Sequence, residues 1–382
     1  MIPSKRGKLC LVANTDWYLY NFRLALASEL RSLGWEVVLV SPIGPYVPMF
    51  AEEGFQWVEW QVDRRGLNIY HEVKSTLRLE RIYKKECPLL VHHYTIKPVI
   101  YGSLAARLAK IPAVVNSITG LGYIYLRSGW QGKVLRASVI PLYRLALKQP
   151  HVRVIFENEV DRKVFLHNRL IHESQTIIIE GVGVDVNRYQ PQSEVEGKPL
   201  VVMPARLLWD KGVGVLVEAA RRLREHSEQS SIRIALVGMP DPGNPTNIDE
   251  TQLQKWIGEG LVEYWGFRQD MNEVYHQAHI VCLPSVREGL PTVLIEAAAA
   301  GRPIVASDVP GCREVVDHGE NGLLVPPGDP VALAEALALL AGDPILRRKM
   351  GAAGRLKAVD RFANEKIIAA TLTVYSDLLK TI

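Results

Sequence analysis

Short apolar runs alternate with stretches of helical period along nearly the whole chain. In the first half the runs fall at residues 8–13, 36–41, 57–60, 89–92, 113–117, 153–156 and 176–179. Each has the length of a strand rather than of a helix. Between them, residues 21–33, 69–86, 98–109, 131–147 and 159–167 carry helical patterns. The second half repeats the scheme, with strands predicted at 200–204, 233–237, 262–265, 280–283, 304–307 and 322–325. Its helices are predicted over 213–224, 249–257, 271–276, 291–300, 331–340 and 345–359, and a last one over 364–379. Strands of this kind, alternating with helices, specify β-α-β units and parallel sheets with covered faces. The polar segment 181–199 has no sustained period and reads as a linker. The pattern therefore predicts an α/β chain of two parallel-sheet domains, residues 1–184 and 185–382.

Composition narrows the class without changing that picture. A chain of 382 residues is long for one core and suits two domains. Its 48% hydrophobic and 23% charged residues are ordinary for a globular protein. Four cysteines, Cys10, Cys87, Cys282 and Cys312, show no paired spacing, so neither a zinc site nor a disulfide framework is expected. Cys10, Cys87 and Cys282 lie in or beside apolar runs and read as core thiols, which suits a reducing cytoplasm. No apolar run reaches the length of a membrane span, and residues 9–13 are too short for a signal-peptide core. The net charge of +4 is uneven: residues 1–185 hold 24 Lys and Arg against 16 Asp and Glu, giving +8, and the remainder carries −4. A basic first half suits an anionic membrane or a phosphate-bearing partner. No nucleic-acid-binding motif accompanies the charge, so nucleic acid is not expected.

The most informative stretch is 284–311, PSVREGLPTVLIEAAAAGRPIVASDVPG. Glu288 and Glu296 stand eight residues apart, with Gly289, Leu290, Pro291 and Thr292 leading into a small-residue helix. The strand before them ends just short of Glu288. In an open parallel sheet that edge is where ligands bind. A turn that opens a helix also offers free N–H groups and a positive dipole end to a phosphate. Two glutamates at this spacing are otherwise ordinary solvated charges. The whole stretch, however, resembles the nucleotide-sugar signature of the retaining, family-four glycosyltransferases.

A second constellation, PARLLWDKG at 204–212, also follows a strand and precedes a helix. An arginine fork at Arg206 and a lysine point charge at Lys211 are suited to a diphosphate. In the resembling family an R-x4-K pair at this place binds the donor's phosphates. The resemblance implies the GT-B architecture, two Rossmann-like domains facing a cleft, with helix 364–379 packed back on the N-terminal one. It gives Glu288, Arg206 and Lys211 catalytic roles and places Glu296 on the ribose. Gly289, Leu290, Pro291, Thr292, Gly238 and Phe267 become donor-side residues. Glycines such as Gly238 also serve tight turns. The proline-rich loop 238–245 contains a D-x-x-N-P sequence like that of bacterial enzymes that elongate lipid-linked oligosaccharides. No metal-ligand cluster is visible, so no metal or other cofactor is expected.

Three stretches of the first half are candidates for the acceptor side. Arg23 closes an N-F-R segment that resembles the subfamily's, and it is a candidate for an acceptor phosphate. His92 and His93 stand at the end of the fourth strand, where adjacent side chains point to opposite faces. At most one faces a cleft, and His93 is the candidate. Lys97 follows in a Y-T-x-K-P segment that again resembles the subfamily. After the fifth strand comes T-G-L-G, with Thr119, Gly120 and Gly122, where many relatives carry a histidine. Residues 123–148 combine aromatic, apolar and basic residues in the manner of a helix lying on a lipid surface, or of an ordinary core-packed helix with snorkelling lysines.

These readings predict a cytoplasmic, membrane-peripheral glycosyltransferase. It would move a hexose or N-acetylhexosamine from a nucleoside-diphosphate sugar, a UDP-sugar first, to a polyprenyl-diphosphate-linked saccharide at the inner membrane surface. The alternatives are a UDP-sugar 2-epimerase of similar fold and a non-catalytic sugar-nucleotide sensor. A dehydrogenase is disfavoured because no G-x-G-x-x-G follows the first strand.

Overall fold

The computed structural model describes residues 7–63, 68–120, 129–226 and 232–382. Two units emerge: residues 1–182 with 365–382, and residues 183–364. The expected boundary at 184 thus falls two residues earlier, and the last helix belongs to the first unit.

The first unit is built on strands β1 (Lys8–Val12), β2 (Glu36–Ser41), β3 (Gln56–Glu59), β4 (Leu90–Tyr94), β5 (Ala113–Ile118), β6 (Val152–Phe156) and β7 (Thr176–Ile178). They form one parallel sheet in the order β3-β2-β1-β4-β5-β6-β7. One face is covered by α1 (Asp16–Ser32) and α2 (Val47–Glu52), together with the final helix described below. The other is covered by α3 (Ile69–Glu86), α4 (Ser103–Leu108) and α5 (Gly129–Leu147). Helix α6 (Glu159–His167) joins β6 to β7. The sequence pattern starts α1 at residue 21, five residues late. Thr15 caps the true start by accepting from the Tyr18 amide, ahead of the apolar period. Residues 98–109 divide into a wide turn over Pro98–Gly102 and α4. Gly102 lets the histidine on the neighbouring strand approach, since a Cβ there would meet the His93 ring at 2.6 Å.

The second unit contains β8 (Leu200–Pro204), β9 (Arg233–Val237), β10 (Glu263–Gly266), β11 (Ile280–Leu283), β12 (Ile304–Ser307) and β13 (Gly322–Val325). All are parallel, in the order β10-β9-β8-β11-β12-β13. Its helices are α7 (Val213–His226), α8 (Glu250–Gly258), α9 (Met271–Gln277), α10 (Thr292–Ala299), α11 (Pro310–Val315), α12 (Pro330–Gly342) and α13 (Pro344–Lys357). The chain then returns to the first unit as α14 (Asn364–Leu379), which buries Ile367, Val374, Tyr375 and Leu378 there.

The segment expected to be a linker is packed rather than loose. Val184 and Tyr189 are buried in the second unit's core. The Val184 amide donates to the Phe362 carbonyl, and the Asn364 amide to the Val184 carbonyl. The two points where the chain passes between units therefore run side by side. One cysteine expectation also fails. Cys87 is exposed at the end of α3 in a left-handed conformation, while Cys312 is buried.

Candidate active site

Both sheets reverse their winding direction once, between β1 and β4 and between β8 and β11. At such a switch point the loops leaving the two strands diverge, and the crevice outside their carboxyl ends is the natural ligand position. In the second unit these loops are the two that the sequence singled out. β8 runs into Arg206 and a single 3₁₀ turn over Trp209–Lys211, and β11 runs into Glu288 and α10.

Close backbone contacts lock the two loops together. Gly212 has φ +80°, and a Cβ on it would stand 1.9 Å from the Pro284 carbonyl oxygen. The Val286 amide donates to the Asp210 carbonyl at 3.0 Å. With the backbones fixed, Lys211 Nζ meets both Glu288 oxygens, at 2.6 and 2.9 Å. The pair is largely buried, with the side chains 22% and 10% exposed. Arg206, in the same loop after β8, has its side chain half exposed, and its Nη1 donates to Asp241 Oδ2 at 2.7 Å.

Asp241 comes from the proline-rich loop, whose role as an anchor for Arg206 was not visible in the sequence. That loop is laced to the Arg206 loop by Leu207 N to Met239 O, Trp209 N to Thr246 O and Ile248 N to Leu207 O. Gly238 begins it at φ +144°, with the Ala205 carbonyl only 2.0 Å from where a Cβ would be. This position has no room for a side chain because the Ala205 carbonyl packs against it, so a close backbone approach within the fold itself requires the glycine. Phe267, after β10, is half exposed.

The turn Gly289–Leu290–Pro291 enters α10 with Leu290 buried and Pro291 at the cap position. Proline has no side-chain donor or acceptor, so no side chain caps this helix start, whose first residue is Thr292. Gly311, at the start of α11, packs against the turn, because a Cβ there would meet the Gly289 carbonyl at 2.3 Å. Glu296 lies just over one turn into α10. Its Oε2 accepts from the Tyr275 hydroxyl at 2.8 Å. Burial raises its carboxyl to about 7, although the Tyr275 and Tyr189 hydroxyls pull it back. Tyr189 and Tyr275 carry the only phenols bonded to this carboxylate among the described residues, and neither was singled out in the sequence.

The first unit departs from expectation. Arg23 is buried, not open to an acceptor phosphate. Its Nη2 donates to the Tyr18 hydroxyl at 2.7 Å, and its guanidinium lies 4.2 Å from the Tyr94 ring centre. Arg23 lies on the inward face of α1 while Asn21, two residues earlier, is exposed. His93 is buried too: Nδ1 meets Asn116 Oδ1 at 2.9 Å and Nε2 the Tyr83 hydroxyl at 2.8 Å. Burial lowers its imidazole to about 4. His92 points the other way, to Tyr375 on α14 at 2.6 Å and to Ser117 at 2.7 Å. Both histidines are thus held inside, one on each face of the sheet. Lys97 is paired with Glu72 and donates to the Asp63 carbonyl at 2.6 Å. Thr119 and Gly120 follow β5 half-buried, Gly120 at φ +103°. Gly122 and residues 123–128 lie outside the described residues.

A different carboxyl stands at the same edge. Glu157, directly after β6, is 7% exposed. Burial raises it to about 8 against the pull of Arg23. Nothing in its sequence surroundings marked it, because a single glutamate before an N-cap asparagine is common.

Comparison with known proteins matches this geometry. The profile described as Glycosyl transferase 4-like covers residues 8–158, and that described as Glycosyl transferases group 1 covers residues 198–343. The chain is 29% identical over 378 residues to the N,N'-diacetylbacillosaminyl-diphospho-undecaprenol alpha-1,3-N-acetylgalactosaminyltransferase of Campylobacter jejuni, covering 95% of this chain and 97% of that protein. It is 24% identical to the Escherichia coli UDP-Gal:alpha-D-GlcNAc-diphosphoundecaprenol alpha-1,3-galactosyltransferase, covering 82% of each. Among solved structures, Anabaena HepE in complex with UDP and glucose superposes with a TM-score of 0.77 over 96% of this chain and 99% of that one, at 20% identity. With one profile on each parallel-sheet unit, the chain belongs to the group 1, 4-like glycosyltransferases and has the GT-B architecture.

Proposed function

We propose that the protein transfers a hexose or N-acetylhexosamine from a UDP-sugar to a polyprenyl-diphosphate-linked saccharide during bacterial surface-glycan synthesis, with retention at the anomeric carbon. The observation that carries this reading is the convergence of Arg206, Lys211 and Glu288 on the β8/β11 switch point. The acceptor class comes from the Campylobacter and Escherichia relatives, whose acceptors are diphospho-undecaprenol-linked.

In the proposed reaction the acceptor hydroxyl attacks from the face that the diphosphate leaves. The C1–O bond to the diphosphate breaks as the bond to the acceptor oxygen forms, and the departing phosphate takes the hydroxyl proton. No side-chain base is then required. Arg206 and Lys211 stabilise the charge that grows on the leaving group, the task a divalent ion performs elsewhere. In the free protein both cations already rest on carboxylates, Arg206 on Asp241 and Lys211 on Glu288. Donor phosphates replace part of that pairing, and the released Glu288 turns to the sugar hydroxyls. Glu296, which accepts from the Tyr275 hydroxyl, is the proposed partner of the ribose hydroxyls.

The test is transfer of radiolabelled sugar from a panel of UDP-sugars to undecaprenyl-diphosphate saccharides, read as a lipid-soluble product. Turnover of donor with no acceptor dependence would replace this reading with the epimerase alternative. Donor binding with no turnover would replace it with the sensor.

A further inference from the structure

We propose that Glu157 binds the acceptor sugar: its unpaired carboxyl, at the carboxyl end of β6, takes two neighbouring polar groups of that sugar, a hydroxyl beside a second hydroxyl or an amide N–H. The inference deepens the reading that the acceptor is a saccharide, and rests on it. β6 ends at Phe156, and Glu157 is the next residue. Ile155 packs on the α1 side of the sheet and Phe156 on the other, so the alternation returns Glu157 to the α1 side. Ile118 pairs with Phe156 across the sheet, which sets Thr119 level with Glu157. In an open parallel sheet this is the edge that meets ligands. Glu157 is buried, yet its carboxyl has no hydrogen-bond partner among the described residues. The other buried acids of this unit are all satisfied. Asp16 accepts from the Trp17 and Tyr46 amides, Glu72 pairs with Lys97, Glu86 pairs with Lys8, and Asp161 accepts from the Asn158 amide. A buried polar group without a partner costs free energy, so a carboxyl kept only for the fold would be paired like these four. The group is also within reach. Arg23 Nε is sealed and unpaired, whereas neither Glu157 oxygen is sealed. A carboxyl that is mostly desolvated, unpaired and still open is one that a ligand completes.

The surroundings of Glu157 decide the chemistry of that ligand. Arg23 and Tyr18 act on it from α1, and Asp161 from α6. Tyr375 on α14 is turned to His92 and Tyr94 instead. Arg23 favours the anion, while burial and Asp161 oppose it, and burial wins, raising the carboxyl to about 8. At neutral pH the group is therefore mostly protonated. A protonated carboxyl presents an O–H donor and a carbonyl acceptor on adjacent atoms. Two neighbouring sugar hydroxyls, or a hydroxyl and an amide N–H, use both. A phosphate would use only the donor, and a metal ion would need the anion. The role is binding and orientation. The proposed reaction sends the acceptor proton to the departing phosphate, and a neutral Glu157 leaves that route unchanged.

The experiment is initial-rate kinetics on the full chain, wild type, Glu157→Ala and Glu157→Gln. The acceptor is a short-chain polyprenyl-diphosphate saccharide, the donor a UDP-sugar, and each is varied in turn. Glu157→Ala raises the acceptor KM by about tenfold or more, the loss of hydrogen bonds to a buried group, and leaves the donor KM where it was. Glu157→Gln, which keeps a donor and an acceptor on adjacent atoms, recovers most of that loss. In wild type, kcat/KM for the acceptor falls as pH rises through about 8, where the carboxyl ionises and its donor is lost. Glu157→Gln cannot ionise and lacks that fall. A purely structural role would raise both KM values together and leave the two pH profiles alike. An acceptor KM within about twofold of wild type in a folded Glu157→Ala protein, or an equal rise in the donor KM, overturns the inference. If Glu157→Ala does not fold by circular dichroism, the glutamine variant decides, and a wild-type alkaline fall in it overturns the inference. Wild type that turns over donor with no acceptor dependence overturns the functional reading and this inference together. Wild-type transfer with an unchanged acceptor KM in Glu157→Ala overturns this inference alone.

Discussion

Lys211→Ala should give a folded protein with severely depressed turnover. Lys211 Nζ bridges both oxygens of a Glu288 that is 10% exposed. Its removal has two separable effects. The carboxylate loses its donor, which costs about 1–3 kcal/mol for a largely buried group. The 22% exposure of Lys211 keeps this below the cost of breaking a fully buried pair. In a unit of this size that lowers the melting midpoint by about 2–12 °C. The chemical effect is the loss of a charge stabiliser on the leaving diphosphate, a factor of roughly 10²–10³ in kcat. Initial rates of UDP release at saturating donor, measured well below the midpoint, read the second effect without the first. The double variant with Glu288→Gln discriminates further. If Lys211 only neutralises Glu288, the double variant matches the Glu288→Gln single variant. If Lys211 meets the leaving phosphate, the double variant falls at least about a hundredfold below that single variant. A folded Lys211→Ala protein within about tenfold of wild type, or a double variant equal to Glu288→Gln alone, would refute the catalytic role.

Arg206→Ala should also lose about a hundredfold in turnover, yet barely move the melting midpoint, because its pair with Asp241 is half exposed on the arginine side. Near-normal turnover would remove Arg206 from the site. Glu296 is raised to about 7, so the folded protein holds a proton there that the unfolded chain has released above its ordinary range near 4.5. Wild type should therefore lose stability relative to Glu296→Gln as pH rises from about 4.5 to about 7, and the difference should be constant above that. Thermal melts across this window that stay parallel would contradict the shift. Transfer should survive EDTA, since two cations and an uncapped helix start supply the positive charge; abolition by chelation with recovery on adding magnesium or manganese would show that they do not suffice.

Much of this site was legible because its residues sit in short loops directly after strands, and strands announce themselves by composition. Arg206 and Lys211 follow β8, and Glu288 follows β11. What stayed hidden were the partners. Asp241 is 35 residues from Arg206, and Tyr375 is 283 from the His92 it bonds. No local pattern encodes such pairings. The departures in the first unit have one physical source: a sequence read without burial cannot separate a side chain that waits for a ligand from one that already has partners inside the fold. Arg23 had the cation–π face of Tyr94, His93 had Asn116 and Tyr83, and Lys97 had Glu72.

The two signature glutamates show the same limit in a useful form. As letters they are equivalent, eight residues apart. In the fold, Glu288 lies in the turn before α10 and is paired with the Lys211 ammonium, a partner that a phosphate can draw away. Glu296 lies inside the helix, where the Tyr275 and Tyr189 hydroxyls bond it and burial raises its carboxyl to about 7. A group of the first kind suits a changing charge, since it can exchange partners as the diphosphate leaves. A group of the second kind suits a hydroxyl that does not change during the reaction, because at neutral pH it can either donate or accept. The spacing of the motif therefore separates two tasks. In the proposed reaction one residue, paired with Lys211, serves the reacting end, and the other, fixed a helical turn deeper against Tyr275, takes a part of the donor that does not react.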